Sequence, residues 1–193
     1  LDVARFGGDN SALCVRQGNT VLEIKSFASM DLMQLCGVVK NRYDDATVLE
    51  RPQEILVDVI GIGAGVVDRL REQNLPVRGV NVSESSSTKK NYLNLRAELW
   101  FAIKDWLAQR DCRLPIDDEL ASELAAPLYK YTSTGKIKIE SKDEMRKRGI
   151  KSPDKADALA LTMASSAASF SGSESVFGYN FKKPLKSRII RVG

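Results

Sequence analysis

The sequence predicts an α/β fold: a mixed sheet of about five core strands flanked by helices, with an added β-hairpin. Three observations lead there. The opening residues alternate strand-like runs with short turns. A nearly unbroken apolar strand at 54–60 is followed by a glycine-rich turn, a short helix and another strand. Long amphipathic segments, residues 91–110 above all, then supply a helical layer. Strand, helix and strand in succession imply a parallel pair joined by a right-handed crossover.

Residues 1–5 read as a first strand, and Phe6-Gly7-Gly8-Asp9-Asn10 as the turn after it. Residues 11–16 and 20–27 alternate as two strands of a hairpin around Gln17-Gly18-Asn19. Residues 29–45 place Leu32, Leu35, Cys36 and Val39 at helical spacing, with Asp31 suited to the dipole of the first turn. The strand at 54–60 is interrupted only by Asp58, as befits a central strand covered on both faces. A turn at 61–65, a short helix at 66–73 and a strand at 77–82 follow. Beyond the polar loop 83–90, the helix at 91–110 carries Leu95, Leu99, Trp100, Ile103, Trp106 and Leu107. A helix at 117–126 ends at Pro127. Residues 128–132 and 136–140 flank Ser133-Thr134-Gly135 as a second hairpin, and 142–148 form a basic helical turn. Ser152 reads as the N-cap of a last helix reaching about Ser169, with Pro153 at its first position. This order, three opening strands and then crossovers, is that of the ribonuclease H-like fold.

At 193 residues the chain is long enough for one domain with a sizeable core, assigned to 1–169, and a flexible basic tail at 170–193. Hydrophobic residues make up 43% and charged residues 28%, ordinary for a globular protein. No apolar run approaches the roughly 18 residues of a membrane span, and no signal-peptide pattern is present. The chain opens directly on a strand-like segment, as a fragment with further sequence upstream would. Cys14, Cys36 and Cys112 lack CxxC spacing and read as reduced thiols of an intracellular protein. The chain has no histidine. That excludes Ser-His and Cys-His catalysis and histidine-ligated zinc, and leaves carboxylates, lysines and hydroxyls to do the chemistry. The net charge of +4 is uneven. The tail holds Lys182, Lys183, Lys186, Arg188 and Arg191 against Glu174, and residues 136–151 hold a second basic cluster.

Four carboxylates stand where a plain core would not want them. Asp58 lies among Ile55, Leu56, Val57, Val59 and Ile60, where an unpaired charge would cost several kcal/mol. A structural salt bridge would explain it, and a metal-ligand position explains it better. Asp2 lies in the first strand, where a solvent-facing residue is the simpler alternative. Asp154 and Asp157 are three apart on the last helix and so share a face. The helix dipole alone could account for Asp154 in the first turn. Asp157 sits past the capping zone on a helix rich in alanine and ranks above it. Asp9 is explained by turn chemistry. Carboxylates gathered at the edge of an apolar core repel one another and lose hydration, and a divalent cation is the usual remedy. Gly61-Ile62-Gly63-Ala64-Gly65 is only a loose match to a dinucleotide fingerprint, Glu84 lies in a loop and not at a strand end, and no Walker A sequence is present.

Four segments together resemble the nuclease domain of the tailed-bacteriophage large terminases, the DNA-packaging motor proteins. They are Asp2-Val3-Ala4-Arg5 with its Gly-Gly-Asp turn, Val57-Asp58-Val59-Ile60-Gly61-Ile62-Gly63, Asn94-Leu95-Arg96-Ala97-Glu98-Leu99-Trp100, and Ser152-Pro153-Asp154-Lys155-Ala156-Asp157-Ala158-Leu159. The last also resembles Holliday-junction resolvases of the same superfamily. The terminase resemblance spans most of residues 1–165 and implies an acidic triad of Asp2, Asp58 and Asp157, with Asp154 as an auxiliary carboxylate. It implies an endonuclease that cuts concatemeric double-stranded DNA during genome packaging, and a β-hairpin near the active site, matched by residues 130–140. It further implies a portal protein and a small terminase subunit as partners, and a place in the host cytoplasm, transiently at the procapsid portal. The family's packaging ATPase domain has no counterpart here.

Chemistry and resemblance agree on Mg²⁺ or Mn²⁺, two ions being expected, because hard cations take oxygen ligands. Candidate phosphate contacts are Arg5, Lys89, Lys90, Arg146, Lys147, Arg148 and Lys151. The rival readings are a junction resolvase, an actin-like or sugar-kinase-like ATPase half, and a catalytically silent adaptor.

Overall fold

The computed structural model describes residues 1–4, 9–88 and 91–165. The Gly7-Gly8 turn, the continuation of the last helix toward Ser169 and the basic tail lie outside the described residues.

Two strands, β1 (Ser11–Gln17) and β2 (Thr20–Phe27), form an antiparallel hairpin with a register shift between Val15 and Arg16. Gly18 takes a φ of 55° in the turn, a conformation glycine adopts without strain. Helix α1 (Leu32–Asp44) begins at Asp31, which is its N-cap and not a first-turn acid; Asp31 and Gln34 form a capping box. Strand β3 (Ile55–Asp58) pairs in parallel with β4 (Val77–Val80), and helix α2 (Gly63–Glu72) joins them. β3 is shorter than its apolar run suggests and ends on Asp58. Helices α3 (Leu95–Ala108) and α4 (Asp118–Ala125) are capped by Asn94 and Asp117. Strands β5 (Tyr129–Tyr131) and β6 (Ile137–Ile139) form the second hairpin. Helices α5 (Lys142–Lys147) and α6 (Asp154–Leu161) complete the fold, and a 3-10 turn at Thr162–Ala164 follows α6.

The mixed α/β class is as the sequence predicts, but one continuous sheet of about five strands is not what the ladders form. Among the described residues there are three two-stranded sheets. The reason lies in residues 1–4, which touch both neighbours through few bonds. Asp2 exchanges two backbone bonds with Ala12 of β1, each 2.9 Å. On the other side the Leu1 nitrogen donates to the Leu56 carbonyl, and the Asp58 N–H donates to the Leu1 carbonyl. The segment therefore lies between β1 and β3 without the length of a full ladder.

Two large apolar clusters fix this frame. One gathers β1, α1, β3 and α2 around Leu35, Val57, Val66 and Leu70. The other packs α3 and α6 onto the hairpin through Trp100, Ile103, Ala158 and Leu159. Alanines 156, 158 and 160 let α6 approach closely, and all eight of its residues are buried. Among the described residues no helix is long and apolar enough to cross a membrane.

Candidate active site

Helix α6 sets the site. Pro153, not Ser152, is its N-cap, and no side chain of its own closes the first turn. Ser152 fails as a cap because its hydroxyl donates instead to Asp154 Oδ1, at 2.5 Å. Asp154 also accepts the Asn10 N–H through Oδ2 at 2.9 Å, so the helix dipole is not the whole account of this acid. Asp157, three residues on and not past the first turn as the sequence suggests, is held by α3. Arg96 donates to both of its oxygens at 3.2 Å, and Trp100 Nε1 donates to Oδ1 at 2.8 Å. Arg96 and Trp100 are four apart on α3, which places both on the face toward α6.

Asp2 reaches the same place from the segment between β1 and β3. The three carboxylates are buried, at 5% exposure for Asp2, 5% for Asp154 and 8% for Asp157. They meet at the ammonium of Lys142, the first residue of α5. Its Nζ lies 2.8 Å from Asp2, 3.2 Å from Asp154 and 3.5 Å from Asp157. Burial alone would lower the pKa of Lys142, but Asp2, Asp157 and Asp154 together hold it well above its ordinary range. Burial pushes the Asp2 carboxyl up to about 6, with Asp157 and Asp154 adding to the shift and Lys142 opposing it.

Asp58, at the C-terminal end of β3, is looser. Its Oδ1 accepts the Ile60 N–H at 3.0 Å, and Oδ2 has no partner among the described residues. Burial raises its pKa; the Ile60 N–H and Lys142 oppose the rise, and Asp157 adds to it. The glycine turn beside it has a packing reason. A Cβ on Gly63 would collide with the Asp58 carbonyl oxygen, so only glycine lets α2 start against the end of β3. No phosphate is needed to explain that turn.

Lys142 is positioned by its own helix and by the hairpin. Ser141 and Glu144 form a capping box at the start of α5, and Met145 is fully buried beneath it. Lys130 and Lys138, cross-strand partners in the hairpin, both reach Glu144, at 3.2 and 3.1 Å. Arg96 closes the circuit by donating to the Glu140 carbonyl at the end of β6.

The predicted phosphate contacts divide. Arg5, Lys89 and Lys90 lie outside the described residues. Arg146 is paired with Asp9 and Asp143, and Arg148 with Glu140 and the Ala126 carbonyl. Lys147 and Lys151 are exposed and make no ion pair among the described residues. Sequence reasoning missed Lys142, Arg96 and Trp100 as members of the site. The spacing of Arg96 and Trp100 on a buried helix face was the available signal; Lys142 was submerged in a run of basic residues.

The donor set suits a hard divalent ion. Even without Asp58, three buried carboxylates face one ammonium and one guanidinium, which leaves uncompensated negative charge among oxygen ligands. As they stand, no three His, Cys, Asp or Glu side chains among the described residues are disposed as ligands around a common point. The point shared by Asp2, Asp154 and Asp157 is taken by Lys142 Nζ.

No known family description matches the chain, and no curated protein sequence is similar to it. Solved structures are. A variant of the nuclease domain of the large terminase subunit gp2 of bacterial virus Sf6, with manganese and β-thujaplicinol, superposes with a TM-score of 0.74 at 22% identity, over 85% of this chain and 86% of that one. The nuclease domain of the Sf6 gp2 large terminase subunit without that substitution gives 0.70 at 24% identity, again over 85% and 86%. The large terminase nuclease of thermophilic phage G20c gives 0.60 at 16% identity, over 83% of this chain and 76% of that one. The chain therefore shares a known mixed α/β fold with these solved structures. More narrowly, it has the fold of the phage large terminase nuclease domains over most of its length.

Proposed function

We propose that this chain is a divalent-metal-dependent endodeoxyribonuclease, the nuclease part of a phage packaging enzyme, which cuts concatemeric double-stranded DNA. One observation carries the reading: Asp2, Asp154 and Asp157, far apart in sequence, meet at a single ammonium beside the end of the strand that bears Asp58. The metal-bound state of an Sf6 relative supports a divalent ion here. The bonds of residues 1–4 to both β1 and β3 support a single ribonuclease H-like sheet of about five strands. Double-stranded DNA, a portal protein, a small terminase subunit and a place at the procapsid portal in the host cytoplasm belong to the same proposal.

Asp2, Asp58, Asp154 and Asp157 would hold the metal, two ions of Mg²⁺ or Mn²⁺ being expected. Such ions lower the pKa of bound water and neutralise charge on the leaving oxygen. The chain's own residues prepare the place. Arg96 and Trp100 fix the plane of Asp157, and Asn10 and Ser152 fix that of Asp154. The free Oδ2 of Asp58 is available to a ligand. Lys142 holds the carboxylates together while no ion is bound and yields to the stronger charge when one is. Lys147 and Lys151, both exposed, would meet phosphates.

Cleavage of linear duplex in Mg²⁺ or Mn²⁺ tests this. The wild-type protein should cut, and Asp58→Ala should cut at least about a thousandfold more slowly while remaining folded. Wild-type-like cutting by that variant would remove Asp58 from the catalytic centre. Preference for four-way junctions over linear duplex would move the protein to the resolvase class.

A further inference from the structure

The helix that bears Asp154 and Asp157 begins without a cap of its own. Pro153 occupies the N-cap position with φ −85° and ψ 61°, and it has no side-chain oxygen to offer. The first N–H groups of a helix have no partner within the helix, and leaving one buried and unpaired costs about 1–3 kcal/mol. Here the helix is buried along its whole length, so water does not readily fill the gap.

The missing oxygen comes from α4. Glu123 Oε2 accepts the N–H of Ala156 at 2.9 Å, across 33 residues of sequence. Ala156 lies between the two acids of α6 and is itself fully buried. The same helix grips α6 a second time. Lys155, 9% exposed, places its ammonium 2.8 Å from Asp117 and 2.5 Å from Glu119. Asp117 in turn caps α4 by accepting the Leu120 N–H. One bond fixes the end of the first turn of α6, and the ion pairs fix its side. Together they set the rotation at which Asp154 and Asp157 project.

We propose that Glu123 is a positioning residue for the metal site: it supplies from α4 the capping oxygen that Pro153 lacks, and so holds the turn that carries two of the metal's carboxylates. This rests on the reading of those carboxylates as metal ligands. A cap needs an acceptor at the correct reach, and it does not need a charge. The side chain can therefore be interrogated by separating the two properties. Glu123→Gln keeps a carbonyl oxygen at the same reach without the charge. Glu123→Asp keeps the charge and falls one methylene short.

The measurement is Mn²⁺ affinity of the whole chain by calorimetry or by electron paramagnetic resonance, with the Mn²⁺ dependence of duplex cleavage beside it. Wild type and Glu123→Gln should bind Mn²⁺ within about threefold of each other. Glu123→Asp should bind about tenfold more weakly and need about tenfold more Mn²⁺ for half-maximal cutting, while its kcat at saturating Mn²⁺ stays within a few-fold of wild type. A merely structural role would lower the melting temperature without this split between metal dependence and kcat. Equal Mn²⁺ affinity in all three proteins would overturn the inference, as would a loss in Glu123→Gln that Glu123→Asp does not share. Failure of the wild-type protein itself to bind Mn²⁺ or to cut would refute the nuclease reading instead, and the inference with it.

Discussion

Asp157 and Asp58 are both aspartates at the edge of the same core, yet they are held in opposite ways. Asp157 is buried under three donated bonds and an ammonium, from Arg96, Trp100 and Lys142. Asp58 is half-buried, takes one bond from its own turn and leaves an oxygen free. The first is fixed before any ligand arrives. The second keeps freedom to adapt. In the proposed metal site Asp157 would set the place, and Asp58 would complete the coordination.

The largest effect that could break this contrast comes from removing each acid in turn. Asp58→Ala should leave the metal-free protein as stable as wild type or slightly more so, because burial already disfavours its charge. Asp157→Ala should cost about 3–5 kcal/mol, since it leaves the buried Trp100 Nε1 without its acceptor and takes a carboxylate from the part-buried Arg96 and Lys142. Chemical denaturation of both variants without metal checks this. Equal stability losses would mean that the two acids are not held differently at all.

Lys142 sharpens the contrast from the other side. Its ammonium offsets part of the charge of Asp2, Asp154 and Asp157, so Lys142→Ala should destabilise the metal-free protein through carboxylate repulsion. It should also bind Mn²⁺ at least about tenfold more tightly, since no internal cation competes. The rise in melting temperature on adding Mn²⁺ should then be larger in the variant than in wild type. An unchanged Mn²⁺ affinity would show that the ammonium and the ion do not share a place.

How much of this could be read beforehand depended on how local the cause was. The strands at 11–17 and 20–27 and the amphipathic α3 follow from periodicity, which neighbouring residues carry. The four acids stood out because charge in an apolar run is conspicuous wherever it sits. Caps were harder. Ser152 before Pro153 has the right chemistry for an N-cap, but its hydroxyl is drawn to Asp154, and the acceptor for α6 comes from Glu123 on another helix. The extent of β3 was overestimated because hydrophobicity runs past Asp58 while pairing does not. Lys142, Arg96 and Trp100 were missed as site residues because what defines them is convergence, and a basic run or a core tryptophan reads the same with or without it.

A smaller effect concerns pH in the metal-free protein. Burial, the largest cause, raises Glu123 from its ordinary 4.5 to about 7, with Asp154 and Glu119 adding to the rise. A carboxyl with a raised folded-state pKa contributes stability that is full below about 4.5 and is lost as pH climbs through about 7. Wild type should therefore lose stability relative to Glu123→Gln between pH 4.5 and 7, seen as a melting-temperature difference of a few degrees that changes across that window. A difference that is constant with pH would place Glu123 in a wetter setting than its burial implies.

The smallest expected effect tests the surface rather than the centre. Lys147 and Lys151 are exposed and unpaired among the described residues, whereas Arg148 is spent on Glu140 and the Ala126 carbonyl. If the free cations meet phosphates, Lys147→Ala and Lys151→Ala should each reduce the slope of log K against log salt by about 1 in DNA binding, and leave the melting temperature unchanged. Arg148→Ala should do the reverse: it loosens the base of the hairpin and hence the Glu144 contacts that carry Lys142, with little change in slope. The three variants, measured by fluorescence anisotropy at several salt concentrations and by thermal melting, separate cations that bind a partner from cations that hold the fold. If Arg148→Ala alone flattened the slope, the pairing with Glu140 would have to open on DNA, and the rigid part of the site would extend less far than Asp157 and its partners suggest.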